Sequence, residues 1–251
     1  LYCWIYYCCL FFELMDYNKN SFIEGKMLLI NKPIGWTSFQ IVNKVRWLIK
    51  SQYDLKKIKV GHAGTLDPLA EGLLILCTGK WTKKIDEFQG QDKVYSGIFH
   101  LGATTPSFDL ETEINSRQSI EHIDKNILLE STNKFIGDQF QIPPIYSAIK
   151  QNGKKLYEYA RNGETIELKK RKINISEFKI TKIELPKVHF KVKCGKGTYI
   201  RSLANDYGLE LKSGAYLYKL KRERIGGFNI KDALSIVEFE KIINKKLGQV
   251  F

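Results

Sequence analysis

The stretch VGHAGTLDPLAEGLLILCTG, residues 60–79, places a glycine-rich loop before an apolar run of strand length. Gly61 and Gly64 permit backbone conformations that a side chain would forbid, and they let a ligand approach closely. Pro68 stiffens the chain and biases Asp67 toward an extended conformation. The loop therefore presents one carboxylate rigidly between two leucines, which makes Asp67 a candidate catalytic group.

Spacing alone also fits a second interpretation, in which the Asp67–Pro68 pair only starts a turn and the glycines are turn residues. A phosphate-binding loop fits poorly, because the segment lacks the GxxxxGK[ST] arrangement and no GxGxxG opens a helix. The spacing of these residues leaves the catalytic and the turn interpretations open.

Apolar patterns on both sides of the loop predict an α+β fold. Short apolar runs at 27–33 and 73–77 predict buried strands, and alternation over 94–102 and 188–194 predicts antiparallel strands with one wet face. Strands and helices are mixed without strict βαβ alternation, which favours a mixed and largely antiparallel central sheet flanked by helices.

Helices are predicted where apolar residues recur at helical spacing. The first follows a cap at Thr37 or Ser38, and a second covers 119–136 with Ser119 as its cap. Shorter helices are expected at 156–161 and after the turn at 195–198. The apolar positions that indicate the first and the last helix are Phe39, Val42, Val45 and Ile49, and Ile200, Leu203, Ala204 and Tyr207.

The chain is strongly basic, with 40 Lys and Arg against 27 Asp and Glu and a formal net charge of +13. Residues 27–251 carry 38 basic and 24 acidic side chains, so the excess belongs to the folded body. A polyanionic partner is therefore expected, either nucleic acid or an anionic membrane. A lysine-rich solvated surface explains the charge equally well. No basic amphipathic helix favours the membrane.

The five cysteines and four histidines show no ligand spacing: none forms CxxC or HxxxH. This argues against a disulfide framework and a zinc site, and it favours a reducing cytosol and a cytoplasmic protein.

The first twelve residues, LYCWIYYCCLFF, are apolar but too short to span a bilayer, and they lack the features of a signal peptide. We expect 1–14 to be a non-native or disordered extension within an N-terminal segment, 1–26. A catalytic domain is expected over 27–240. We expect the remaining tail, 241–251, to hold no full C-terminal RNA-binding domain.

The loop GHAGTLDPLAEGLL (61–74) closely resembles the signature of the TruB family of tRNA pseudouridine synthases. Six further segments resemble the family in unbroken order between about Gly25 and Phe239: LLINKPIGWTS (28–38), KVYSG (93–97), LGATTPSFDLE (101–111), PPIYSAIKQNGKKLYEYAR (143–161), GKGTYIRSLANDYG (195–208) and AYLYKLKRERIGGF (215–228). The resemblance implies the pseudouridine synthase fold and a metal-free, cofactor-free isomerisation of uridine 55 in the T arm of tRNA.

The resemblance also assigns roles to residues. Asp67 matches the family's indispensable aspartate, which acts as a nucleophile or removes a sugar proton, and both roles need its ionised form. Arg201 matches the arginine that pairs with it, and Tyr95 the tyrosine that packs on the target base. Substrate-binding positions in the family correspond to His62, which rearranges T-loop bases, and to Lys32, Tyr199 and Leu220.

Contacts to the RNA backbone must compensate for the base stacking that is lost on extraction. The candidates are Lys150, Lys154, Lys155, the run 169–172, Lys219, Lys221, Arg222 and Arg224.

Two rival functions remain at this point: an RNA-binding or tRNA-folding protein that does not need catalysis, and guide-RNA-directed modification of ribosomal RNA. We expect a monomer whose partner is tRNA, with no metal and no membrane.

Overall fold

The computed structural model describes residues 17–245. These residues form two compact units. The first contains 17–68, 73–89 and 230–245, and the second contains 69–72 and 90–229. The expected extension at 1–14 lies outside the described residues. None of the described helices has the length and apolar character needed to cross a membrane.

The first unit contains short helices, a small sheet and one long helix. Its elements, in chain order, are α1 (Lys19–Glu24), β1 (Met27–Lys32), α2 (Ser38–Tyr53), β2 (Val60–His62), the later part of β3 (Ala70–Thr78), a 3₁₀ helix (Gly79–Lys84), most of α3 (Ile85–Gly90), a second 3₁₀ helix (Ile230–Asp232), β14 (Leu234–Ser235) and α7 (Ile236–Lys245). Its strand order is β14–β1–β3, with β2 on β3 and a parallel pairing of β1 with β14.

The core of the first unit lies between α1, α2, α7 and the sheet. Phe22, Ile30, Val45, Phe239 and Ile243 are all fully buried within one apolar cluster. Residues on both sides of the predicted boundaries, 26/27 and 240/241, therefore pack into the same core. The division of the chain into extension, catalytic domain and tail stays a prediction.

The second unit combines a sheet with helices. It contains the first residues of β3, then β4 (Lys93–Leu101), β5 (Ala103–Thr104), β6 (Ser116–Arg117), α4 (Lys125–Thr132), a 3₁₀ helix (Asn133–Phe135), β7 (Gly137–Gln141), β8 (Lys150–Gln151), β9 (Lys154–Lys155), α5 (Leu156–Arg161), β10 (Arg171–Glu184), β11 (Lys187–Cys194), α6 (Ile200–Glu210), β12 (Ala215–Ile225) and β13 (Phe228–Asn229).

Pairing in this sheet is antiparallel except at one edge. The order is β3–β12–β4–β11–β10–β7, and only the β12–β3 pairing is parallel. Aromatic rings fill the inner face, where Phe99 and Phe190 stack with ring centroids 4.0 Å apart and Tyr207 packs edge-on against Phe178. The Tyr207 hydroxyl donates to the Leu128 carbonyl at 2.7 Å, which joins α6 to α4. The predicted mixed, largely antiparallel α+β fold is confirmed.

Most predicted elements are confirmed, but two details are wrong. Phe39 is 65% exposed, because Ser38 takes the inward position in the first turn of α2. The helix predicted over 119–136 begins only at Lys125, since the Asp124 side chain accepts from the backbone N–H of Ile127 and caps it there. Ser119 instead accepts from the N–H of Glu121 in a local turn.

Candidate active site

The loop that carries Asp67 is fixed by hydrogen bonds inside the first unit. The buried Ser38 hydroxyl donates to the Leu66 carbonyl at 3.0 Å and accepts from the Leu66 N–H at 2.8 Å. The Gly35 N–H donates to the Pro68 carbonyl at 2.8 Å. Both residues that flank Asp67 are therefore held by Gly35, after β1, and Ser38, the first residue of α2, and the half-buried Asp67 side chain projects from an anchored backbone.

The two loop glycines act in different ways. Gly64 adopts φ +101°, a conformation that L-residues rarely reach. Gly61 has no such φ, but a Cβ there would lie 2.7 Å from the Ile85 side chain. Pro68 and Leu69 do form a turn, as the turn interpretation predicts, and the catalytic role of Asp67 stays a prediction.

Lys32 and His62 lie on the strands that lead into this region. The Lys32 side chain is fully buried, and its ammonium donates to the carbonyls of Pro33, at 3.0 Å, and Trp36, at 2.5 Å. Lys32 thus shapes the same segment whose Gly35 and Ser38 hold the Asp67 loop. His62 ends β2, opposite Leu76 of β3, at the start of that loop.

Tyr95 and Leu220 share one face of the second unit's sheet. Tyr95 on β4 is directly opposite Arg222 of β12, and Leu220 is opposite Gly97. Because paired residues of antiparallel strands point to the same side and alternate residues repeat it, both side chains belong to the inner face. Tyr95 is buried, whereas Leu220 is half-buried.

Tyr199 and Arg201 lie at the start of α6, also in the second unit. The Arg201 guanidinium is 3% exposed and donates from Nη2 to the Tyr146 carbonyl at 2.9 Å and from Nη1 to the Ser107 carbonyl at 3.4 Å. Its Nε lies 3.7 Å from Oδ2 of Asp109, which is also buried. Arg201 is therefore a buried cation held by two carbonyls and a carboxylate, not a surface charge.

The structure brings the seven candidates together in two groups. Asp67, Lys32 and His62 lie in the first unit around one loop system, and Tyr95, Leu220, Tyr199 and Arg201 lie in the second. The pairing of Asp67 with Arg201 stays a prediction. Among residues 17–245, no three His, Cys, Asp or Glu side chains are grouped so that they could hold a metal ion.

A further buried cation, Lys93, lies on the Tyr95 strand. Burial, and secondarily the charge of Arg222, lowers the pKa of Lys93 to about 8. Lys93 is 6% exposed, and its ammonium donates to the Gln91 carbonyl at 2.5 Å. Folding therefore weakens proton binding at Lys93. At any pH where Lys93 is charged, its burial lowers the stability of the folded protein.

This shift predicts a pH-dependent stability. Between about pH 8 and 10.5 the unfolded chain binds more protons at Lys93 than the folded chain, so the free energy of unfolding rises with pH in that window. Urea unfolding at pH 7.5 and 9.5 should show a gain of at least about 1 kcal/mol relative to Lys93→Met, since each pKa unit corresponds to about 1.4 kcal/mol. Identical pH dependence in both proteins would contradict the shift.

Comparison with known proteins identifies the family of this chain. The model of the TruB family pseudouridylate synthase (N terminal domain) matches residues 50–200. A protein of Flavobacterium johnsoniae named tRNA pseudouridine synthase B is 54% identical over 222 residues, which cover 88% of this chain and 97% of the relative. The chain belongs to the TruB family of pseudouridylate synthases.

A second relative matches over nearly its whole length, and a solved structure matches over part of its chain. A Phocaeicola vulgatus protein, also named tRNA pseudouridine synthase B, is 49% identical over 226 residues, covering 90% of this chain and 96% of the relative. Among solved structures, a crystal structure of a Cbf5–Nop10–Gar1 complex contains a chain that is 26% identical with a TM-score of 0.67. The match covers 90% of this chain and 57% of that one, so this chain spans little more than half the length of the solved chain.

Two residues of this site were not identified from the sequence. Asp109 lies within the family-like segment 101–111, but nothing in its spacing indicates that it faces Arg201, which follows it by 92 positions in the chain. Gln141 is a polar residue at a buried strand end, 4% exposed, and it contacts the backbone of Tyr199. The sequence did offer one signal for Gln141: it is a polar residue at a strand position whose side chain points inward.

Proposed function

We propose that this enzyme isomerises uridine 55 in the T arm of tRNA to pseudouridine, with Asp67 as the catalytic carboxylate. The observation that carries the proposal is Asp67 itself, presented between two backbone anchors in a chain of the TruB family. Support for tRNA as the substrate comes from the relatives at 54% and 49% identity, both named tRNA pseudouridine synthase B.

The reaction rearranges one base and leaves its composition unchanged. The N1–C1′ bond breaks, the uracil rotates, and a C5–C1′ bond forms. The hydrogen on C5 leaves as a proton and N1 gains one, so atoms and electrons balance without an oxidant or reductant. Asp67 starts this sequence by attacking as a nucleophile or by removing a sugar proton, and in either role it must be ionised.

The release of the C5 proton gives the test. Wild-type protein incubated with an unmodified tRNA transcript carrying tritium at uridine C5 should release label into water in proportion to the pseudouridine formed. Complete retention of the label under conditions where tRNA binds would overturn the proposed activity and favour an RNA-binding or tRNA-folding role.

The roles proposed for the remaining site residues follow the family resemblance. Arg201 orients the Asp67 carboxylate and keeps it charged, and Tyr95 packs on the extracted base. The Tyr146 carbonyl and the Asp109 carboxylate hold the Arg201 guanidinium in one position, which supports a role in orienting a neighbouring group. Tyr199 and Leu220 line the pocket of the extracted base. His62 rearranges the T-loop bases, and Lys32 supports the Asp67 loop.

Cations in the connection between β7 and β10, and at the first residue of β10, are proposed to contact the RNA backbone. Lys150, Lys169 and Arg171 line one cavity of about 250 Å³ in the second unit. These three residues form no salt bridge within residues 17–245. Lys154 and Lys172, by contrast, are paired with Glu164 and Asp138. The basic cavity is therefore a candidate contact for tRNA phosphates.

One candidate for backbone contact was wrong. Arg222 is 1% exposed and lies on the inner face of the sheet opposite Tyr95, so it cannot reach an RNA phosphate at the surface. Its strand neighbour Lys221 is only partly buried, and its ammonium lies 3.9 Å from Oε1 of Glu71. The alternation of β12 explains the difference, because consecutive residues point to opposite faces.

The dependence of kcat/KM on salt concentration should reveal the contribution of the phosphate contacts. At subsaturating tRNA, kcat/KM is expected to fall at least about tenfold between about 50 and 200 mM salt, because several bound counterions are released on binding. The double variant Lys150→Gln/Lys169→Gln should weaken binding and flatten this dependence by about one unit of slope per lost contact. Lys179→Gln, a surface lysine already paired with Glu177 at 3.1 Å, is the matched control and should change neither. A flat profile in wild type would argue against phosphate-led binding.

We propose a monomeric protein of the cytoplasm. The thiols of Cys77 and Cys194 are free and buried, and burial raises their pKa to about 11 and about 12. Such protected thiols suit a reducing compartment.

A further inference from the structure

Helix α6 begins without a side-chain cap of its own. Tyr199 is the N-cap residue, and it makes no capping hydrogen bond with its phenol. The first N–H groups of a helix have no partner inside the helix and need one from elsewhere. Two site residues, Tyr199 and Arg201, lie in this weakly capped first turn, so whatever holds the turn also sets their position.

Gln141, the last residue of β7, holds it through a two-way amide contact. Its Oε1 accepts from the Tyr199 N–H at 2.9 Å, and its Nε2 donates to the Tyr199 carbonyl at 3.1 Å. The same carbonyl accepts from the N–H of Leu203 at 3.0 Å, so it already takes part in the helix. One planar amide therefore fixes both polar groups of the residue where the helix starts.

Neighbouring residues extend this contact. The Ser202 hydroxyl donates to the Ile142 carbonyl at 2.7 Å, and Arg201 donates to the Tyr146 carbonyl at 2.9 Å. Segment 141–146 thus makes four hydrogen bonds to residues 199–202. The Gln141 side chain supplies two of them. The other two come from side chains of α6, so Gln141 is the residue that can be changed without altering the helix itself.

We propose that Gln141 is a positioning residue for the reaction: its amide fixes the first turn of α6 and thereby the orientation of Tyr199 and Arg201. This inference rests on the proposed function, in which those two side chains act on the extracted base and on Asp67. Small displacements of catalytic groups reduce turnover strongly while leaving remote binding contacts intact. Loss of the amide should therefore lower kcat more than it raises KM.

Gln139 offers a matched control two residues earlier on the same strand. Its Nε2 donates to the Phe135 carbonyl at 2.5 Å and not to the backbone of Tyr199. Gln139→Met and Gln141→Met remove an amide of the same size from the same strand, and both keep the length of the side chain. A general loss of strand stability would affect both variants, whereas loss of positioning would affect only the second.

The test compares kcat and KM for an unmodified tRNA transcript at a temperature where both variants are folded by circular dichroism. Gln141→Met should lower kcat at least about tenfold, equivalent to about 1.4 kcal/mol in the barrier, with KM changed less than about twofold. Gln139→Met should stay within about twofold of wild type in both. A second variant, Gln141→Glu, keeps the acceptor for the Tyr199 N–H but loses the donor, and it should also lose kcat selectively.

Amide hydrogen exchange supplies a readout that does not depend on activity. The Tyr199 N–H should exchange faster in Gln141→Met than in wild type, and at the wild-type rate in Gln139→Met. Equal kinetics in the two methionine variants, or a rise in KM with kcat unchanged, would overturn the positioning role. If wild type forms no pseudouridine, the proposed function fails, and the exchange experiment still decides whether Gln141 holds the helix start.

Discussion

Replacing Asp67 with Asn is expected to lower kcat for pseudouridine formation by at least about a thousandfold, the scale on which a lost nucleophile or general base acts. An amide has the shape of the carboxylate but neither its charge nor its basicity, so both reaction routes fail. The loop should keep its geometry, because the Ser38 hydroxyl and the Gly35 N–H anchor it through the backbone of Leu66 and Pro68 and not through the Asp67 carboxylate. Single-turnover assays with excess enzyme would measure the loss.

Binding must be measured alongside turnover. The affinity of Asp67→Asn for tRNA should stay within a few-fold of wild type, because the proposed phosphate contacts lie on other residues. Asp86→Asn, an exposed acid in the first turn of α3, is the control and should behave as wild type. Full activity in Asp67→Asn would remove this residue from the chemistry, and tRNA binding by a wild type that never isomerises would establish the non-catalytic rival.

Arg201→Lys is expected to have the second largest effect, a loss of at least about a hundredfold in kcat. Lysine keeps the charge but has a single nitrogen, whereas the guanidinium serves the Tyr146 and Ser107 carbonyls and lies beside Asp109. The variant cannot hold all these partners at once, so the cation moves. The fall should appear in kcat with little change in KM, and thermal unfolding would measure the accompanying loss of stability.

A double variant separates catalysis from structure at this position. Arg201→Met alone leaves the buried Asp109 without its cation and should cost about 3–5 kcal/mol. Arg201→Met/Asp109→Leu removes both charges and should recover much of that stability, because apolar pairs often replace buried ion pairs without loss. Activity should remain lost in the double variant. Recovery of turnover together with stability would show that Arg201 only supports the fold.

The sequence predicts the scaffold well where one face of an element is buried. β1, α2, β4 and β11 lie where apolar periodicity placed them, since burial imposes a repeat that can be read directly. The errors occur where a polar side chain determines the local structure. Asp124 starts α4 five residues after the predicted cap at Ser119, and the inward Ser38 leaves Phe39 exposed.

Family likeness predicts the site residues further than spacing could, but not their supports. The anchoring of the Asp67 loop by Ser38 joins residues 28 positions apart, and the Gln141–Tyr199 contact joins residues 58 apart. Contacts between residues so far apart in the chain depend on the whole fold, so no local sequence pattern predicts which residues meet. Arg222 was predicted to be a surface cation because it lies in a basic run. The alternation of β12 instead turns its side chain to the buried inner face.

Chemical mapping of pseudouridine along an unmodified tRNA transcript, after incubation with the purified protein, tests the proposed activity and the role of Asp67 most directly. We predict conversion of a single T-arm uridine, at position 55, by wild type and none by Asp67→Asn. Conversion at another site would contradict the proposed substrate position, and equal conversion by the two proteins would contradict the role of Asp67.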